Sequence, residues 1–139
     1  MIKTICYKSH PKNHKSILEN MVLVDEVKKR NDDDGIVGLL VLHENTFLEI
    51  IEGEASKVDA LFSNILKNNR HKDIIVILNE PIKELTFSSF EVDYSVLQNM
   101  DSLYALQEYV NHLEVNNKEY SYVFSNFLAN LLQEHPELP

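Results

Sequence analysis

Three features of this 139-residue sequence predict an α+β fold with a ferredoxin-like sheet. Short runs rich in β-branched and aliphatic residues alternate with two segments of helical periodicity, in the order β-α-β-β-α-β-β. The two middle runs, GIVGLLVLH and TFLEIIE, are joined by Glu44-Asn45, a connection short enough for a hairpin. The strand segments are apolar at both odd and even positions, so both faces of the sheet need cover. Two helices on one face are expected from the order of elements, and a C-terminal helical pair is expected to cover the other.

Taken in order, Ile2 to Lys8 alternates as a β-rich run that ends at His10-Pro11. From Asn13 to Arg30, Ile17, Met21, Val24 and Val27 recur at helical spacing, and NDDDG then breaks the pattern. After the hairpin, Val58, Leu61, Phe62, Ile65 and Leu66 mark the second helix. In DIIVILN, Ile74 and Val76 are expected to point one way while Ile75 and Ile77 point the other. A last strand is expected within FSSFEVDYSVL. Met100, Leu103, Leu106 and Val110, then Val123, Phe127, Leu128, Leu131 and Leu132, fit two further amphipathic helices with a break at Asn116-Asn117.

With 44% hydrophobic and 25% charged residues, the chain reads as one soluble globular domain with a real core. A formal charge of −9 argues against nonspecific binding to nucleic acid or anionic membrane, both of which need a basic footprint. The Lys28-Lys29-Arg30 cluster is largely cancelled by Asp32, Asp33 and Asp34. Cys6 is the only cysteine, so no intrachain disulfide is possible. The opening MIKTICYKSH is unlike a signal peptide and no apolar run is long enough for a bilayer, so a cytoplasmic location is expected.

Metal binding is disfavoured. Pro11 lies between His10 and His14, and aligning Gly35 with a calcium-loop glycine puts Arg30 and Val41 at ligand positions. Ser9-His10 lacks a glycine elbow, and the three glycines do not form a phosphate loop. What remains is a polar set in apolar surroundings. Tyr7 and Ser9 share one face of the first strand, and Glu49 sits mid-strand on the same side as Phe47 and Ile51. Arg30 and Asn31 end the first helix, and Arg70-His71 follow the second. Structural readings stand beside functional ones: a core tyrosine for Tyr7, a C-cap for Asn31, a dipole-answering cation for Arg70. Glu49 resists such a reading, because an ionised carboxylate in an apolar strand is costly unless paired or protonated.

The ordered series ICYKS, GIVGLL, FLEIIEG, NNRHKDI and EPIKELTFSSF, covering about residues 2 to 95, resembles the BLUF family of blue-light sensors that bind FAD. The resemblance implies a BLUF-like flavin-binding domain over residues 1–95 and a C-terminal helical cap over residues 96–139. It implies noncovalent FAD between the two helices, with its polar edge toward the strands. Tyr7 falls on the photoactive tyrosine, which donates an electron and then a proton to the excited flavin. Asn31 falls on the asparagine at the flavin's carbonyl and imide edge, and Arg70 and His71 on the pair flanking the pyrimidine side. Ser9 matches a serine near the tyrosine, and Arg30 a variable polar position against the ring system.

Glu49 falls on the family's switch residue, normally a glutamine that bridges the tyrosine hydroxyl and the flavin edge. Phe90 and Val92 also depart from the pattern, standing where a tryptophan and a methionine are common. A protonated glutamic acid keeps one donor and can hold the bridge, whereas an ionised one only accepts. It has no second donor, so an atypical photocycle is expected. The resemblance thus implies a non-enzymatic photoreceptor signalling to a downstream partner protein or through self-association. The alternative is a flavin-free BLUF-like protein-interaction module; a small phosphate-directed hydrolase is a weaker rival, since no nucleophile accompanies Arg70 and Asn31.

Overall fold

The computed structural model describes residues 1–11, 35–43, 46–67, 71–88, 90, 94–97 and 99–134. The expected helix at residues 13–30, the hairpin turn at 44–45, and the candidate residues Arg30, Asn31 and Arg70 lie outside the described residues, as does Val92. Two compact units are present, Met1–Leu97 and Gln98–Pro139.

The first unit is built on one five-stranded sheet. Its strands are β1 (Ile2–Pro11), β2 (Val37–His43), β3 (Thr46–Glu54), β4 (His71–Ile82) and β5 (Tyr94–Leu97). They lie in the order β4-β1-β3-β2-β5. The first four pair antiparallel, as the ferredoxin-like reading expects, and β5 runs parallel to β2. The β1 strand runs past the expected stop and pairs Pro11 with His71 at its end, where a missing N–H costs little. For the same reason β4, at the edge of the sheet, accommodates Pro81.

Strand alternation gives the sheet two faces. On the first, Ile5, Tyr7, Ile36, Leu40, Phe47 and Ile51 form one core with Val58, Leu61, Phe62 and Ile65 of helix α1 (Ala55–Leu66). Full burial of a side chain of this class stabilises by roughly 1.5–3 kcal/mol. On the second face Thr4, Cys6, Leu39, Val41, Leu48, Ile50 and Glu52 are all buried. Both faces of the central strands are therefore buried, as their two-sided apolar pattern requires.

Four positions depart from the periodic reading. Ile75 and Val76 on β4 are 53% and 45% exposed, because an edge strand has a neighbour on one side only. The β4 register slips between Leu78, opposite Cys6, and Val76, opposite Tyr7, so Ile77 sits at an irregularity instead of alternating cleanly. Leu66, placed on the buried stripe by spacing, is 55% exposed at the last position of α1.

Gly38 makes the tight join of β2 to β3. Its φ is +144°, and a Cβ there would lie 2.0 Å from the Ile50 carbonyl oxygen.

The second unit is a helical pair, α2 (Met100–Val115) and α3 (Ser121–Glu134). The Asn99 side chain caps α2 by accepting from the Ser102 amide at 2.8 Å. The helix stops at Asn116, and Asn117 adopts a left-handed φ of +54°, so the break falls where the asparagines predict it. Leu103, Leu106, Val110 and Leu113 of α2 and Phe124, Leu128 and Leu131 of α3 are buried. On α3 the expected Leu128 and Leu131 are buried, whereas Val123 and Phe127 are half-buried and Phe124, not on the expected stripe, is buried.

Candidate functional site

Tyr7 and Glu49 are cross-strand partners in the β1–β3 ladder, so their side chains leave the sheet on the same face. This is the face packed by α1. Tyr7 is 1% exposed and Glu49 3%. The Tyr7 hydroxyl donates a hydrogen bond to Glu49 Oε1. The Phe62 ring of α1 lies 5.5 Å from the Tyr7 ring at 46°, an inclined aromatic contact that fixes the phenol's orientation. On its other side Glu49 faces Leu40 of β2, so the carboxyl sits between a phenol and an aliphatic side chain.

The remaining candidates divide by what the structure describes. Ser9, two residues along from Tyr7 on the same face, is fully buried opposite Phe47. His71 opens β4 opposite Pro11, at the end of β1 that carries Ser9 and His10. Tyr7, Ser9 and Glu49 are thus brought onto one face of adjacent strands. Among the described residues no group of three or more His, Cys, Asp or Glu is placed to hold a metal, and no helix is long and apolar enough to cross a membrane.

A phenol hydrogen-bonded to a buried carboxyl can do one thing well: it has a fixed acceptor for its only proton. The carboxyl has a donor to offer a third group only when it carries a proton itself.

Sequence reasoning missed a second buried carboxyl. Glu52 is fully buried on the opposite face of β3, and its Oε1 accepts from the backbone amides of Thr86 at 2.7 Å and Phe87 at 3.2 Å. The signal was available in TFLEIIEG: Glu52 is three positions after Glu49, an odd spacing, so the two project to opposite faces of a strand apolar on both. Burial pushes the Glu52 carboxyl above the usual carboxylate range, against hydrogen bonds that pull it down. On the same face the Cys6 thiol is pushed far above its ordinary value, by burial first and by the nearby Glu52 charge second.

The fold and this face define an α+β module with a buried phenol–carboxyl pair, and comparison with known proteins places it. The family model of BLUF, sensors of blue light using FAD, matches residues 2–93, and the chain belongs to that family. The blue light- and temperature-regulated antirepressor BluF of Escherichia coli (strain K12) is 24% identical over 78 residues, 56% of this chain and 19% of that protein. The photoactivated adenylate cyclase subunit alpha of Euglena gracilis is 32% identical over 60 residues, 43% of this chain and 6% of that protein. The chain therefore matches only a small part of the length of these curated relatives. Among solved structures, the BlrP1 BLUF domain covers all of this chain with a TM-score of 0.72 at 22% identity, 96% of that domain being matched. The BlsA photo-activated state matches with a TM-score of 0.65 at 25% identity, covering 100% of this chain and 99% of that one.

Proposed function

We propose that this chain is an FAD-binding blue-light receptor that signals by changed protein–protein contacts and has no catalytic activity of its own. The buried Tyr7–Glu49 pair, on the sheet face packed by α1, carries this reading. FAD, when bound, supplies blue-light absorption and an electron acceptor. Tyr7 is the group of this chain with an electron and a proton to give, and Glu49 holds the proton end of that phenol.

The donor chemistry of the pair fits a flavin edge under one condition. Tyr7 commits its only proton to Glu49 Oε1, and the polar edge of a flavin presents acceptors as well as an imide donor. Glu49 completes the bridge as the neutral acid, the form that apolar surroundings favour. Ser9 stands behind the tyrosine on the same strand. Asn31, Arg30, Arg70 and His71 are the further residues proposed to hold the cofactor, on the strength of the family pattern.

The whole proteins among the relatives couple light to an antirepressor or a cyclase. For this chain the proposed output is a partner protein or self-association in the cytoplasm. Its acidity, −9 overall, makes nucleic acid or an anionic membrane a poor direct target.

Purification after expression with FAD available tests the reading, with about one flavin per chain expected and a reversible spectral response to blue light. A preparation that stays colourless in excess FAD rejects it and favours a flavin-free interaction module.

A further inference from the structure

The Tyr7–Glu49 pair spends its one phenolic proton internally, because the Tyr7 hydroxyl donates to Glu49 Oε1. With Glu49 ionised, the pair as a whole offers a third group nothing but lone pairs. One further proton changes that. The neutral acid carries it on Oε2 while Oε1 still accepts from the phenol, so the pair gains a donor without moving.

The register fixes both groups. Tyr7 faces Glu49 from β1 and apolar Leu40 faces it from β2, all three on interior strands. Phe47 and Ile51, two residues to either side on the same face of β3, are apolar and buried. From α1 the Phe62 ring lies against the Tyr7 ring, whereas the charged Lys57 and Asp59 of that helix are exposed. Asp59 is paired with Lys3 at 2.7 Å. Ser9, next along this face of β1, adds a hydroxyl and no charge.

A flavin brings the opposite demand. Its ring edge carries several acceptors and a lone imide donor, and the pyrophosphate of FAD is anionic. An acceptor edge against an acceptor-only pair is repulsive, and more so in apolar surroundings than in water. We propose, on the FAD-binding reading above, that Glu49 takes up one proton as the flavin binds, so cofactor affinity falls with rising pH. The sign follows from linkage. Flavin acceptors and phosphate charge both favour the neutral carboxyl, so Glu49 holds its proton more firmly in the complex than in the free chain. Affinity is therefore full while Glu49 is protonated in the free chain and declines as pH rises past the point where it ionises there. Between the free and bound values the proton comes from solvent. A glutamine in this place would not titrate, so the dependence belongs to the carboxyl of this chain.

Calorimetric titration of FAD into the cofactor-free full chain, from mildly acid to mildly alkaline pH and in two buffers of different ionisation enthalpy, reads affinity and proton uptake together. The native dissociation constant is expected to rise by up to about tenfold per pH unit within the window, with uptake there approaching one proton per flavin. Glu49→Gln is expected to remove both the slope and the uptake. Tyr7→Phe takes a donor from the carboxylate, so it is expected to keep the slope and move it to higher pH. If Glu49→Gln does not fold, the displacement in Tyr7→Phe decides, because a slope from a group elsewhere would stay in place. Proton-linked binding is overturned by a native affinity that is level or rises with pH, by a slope that survives Glu49→Gln, or by one that Tyr7→Phe leaves unmoved. Failure to bind FAD at any pH overturns the cofactor reading itself, an outcome distinct from binding without a slope.

Discussion

Tyr7 and Glu49 stand directly opposite each other across two interior strands, and the phenol donates its one proton to the carboxyl. Neither residue is free to choose another face, because a one-residue slip of either strand would turn its whole apolar set outward. The pairing is thus imposed by the hydrophobic pattern of β1 and β3. In an apolar core that same pattern holds two polar groups at hydrogen-bonding distance, so the site is preorganised by the sheet rather than by a loop.

A carboxyl in that place has at most one proton, whereas a glutamine amide has two donors and an acceptor. In flavin-loaded protein we therefore expect a weak or atypical light-induced shift from the native chain. Glu49→Gln should give the full reversible red-shifted state, and Tyr7→Phe in that background should remove it. Dark and illuminated absorption spectra of the three proteins check this. A full reversible shift in the native chain, unchanged by Glu49→Gln, would falsify the assigned role of Glu49.

Gly38 should tolerate no side chain. A Cβ there meets backbone atoms of Ile50, the carbonyl oxygen at 2.0 Å and the carbonyl carbon at 2.9 Å, and backbone in an interior ladder has nowhere to go. Gly38→Ala is expected to cost at least ~3 kcal/mol, combining an unfavourable φ with overpacking. Gly35 is the control: its φ is +70° but nothing lies within 4 Å of its Cβ position. Gly35→Ala is expected to cost about 1–2 kcal/mol, the left-handed penalty alone. Urea midpoints for the two variants, ranked the other way round, would refute the steric account.

Period-2 and period-3.6 patterning predicted the strand order of elements, the hairpin pair, α1 and the two C-terminal helices, because burial on a defined face is what those periods encode. Where the periodic reading failed, the cause was nonlocal. Ile75 and Val76 look like core residues, and nothing within DIIVILN says that β4 is an edge. Each strand's alternation grouped Tyr7 with Ser9 and Glu49 with Phe47 and Ile51, but only the family resemblance brought Tyr7 and Glu49 together, because the register that sets them opposite each other needed the ladder. Glu52 was overlooked because its partners are the backbone amides of residues 34 and 35 positions away, which no side-chain pattern announces.

Cys6 provides the last prediction. It is fully buried on the second face, and its thiol is held protonated far above the ordinary value of 9.0 by burial, with the Glu52 charge adding in the same direction. Thiol-directed reagents react with the thiolate, so the native chain is protected twice, by lack of access and by the proton. Raising the pH from 7 to 9 speeds an exposed thiol steeply, but it should leave native Cys6 slow, since the raised value keeps the thiol form across that window. Labelling must then proceed through opening, and for a domain of ordinary stability this slows it by at least about a thousandfold. In urea beyond the unfolding midpoint, one thiol per chain should react at the rate of a free cysteine. A colorimetric disulfide reagent followed in both conditions measures the ratio. Prompt stoichiometric labelling of the native chain at pH 8 would show that Cys6 is reachable and that the second face is not closed as described.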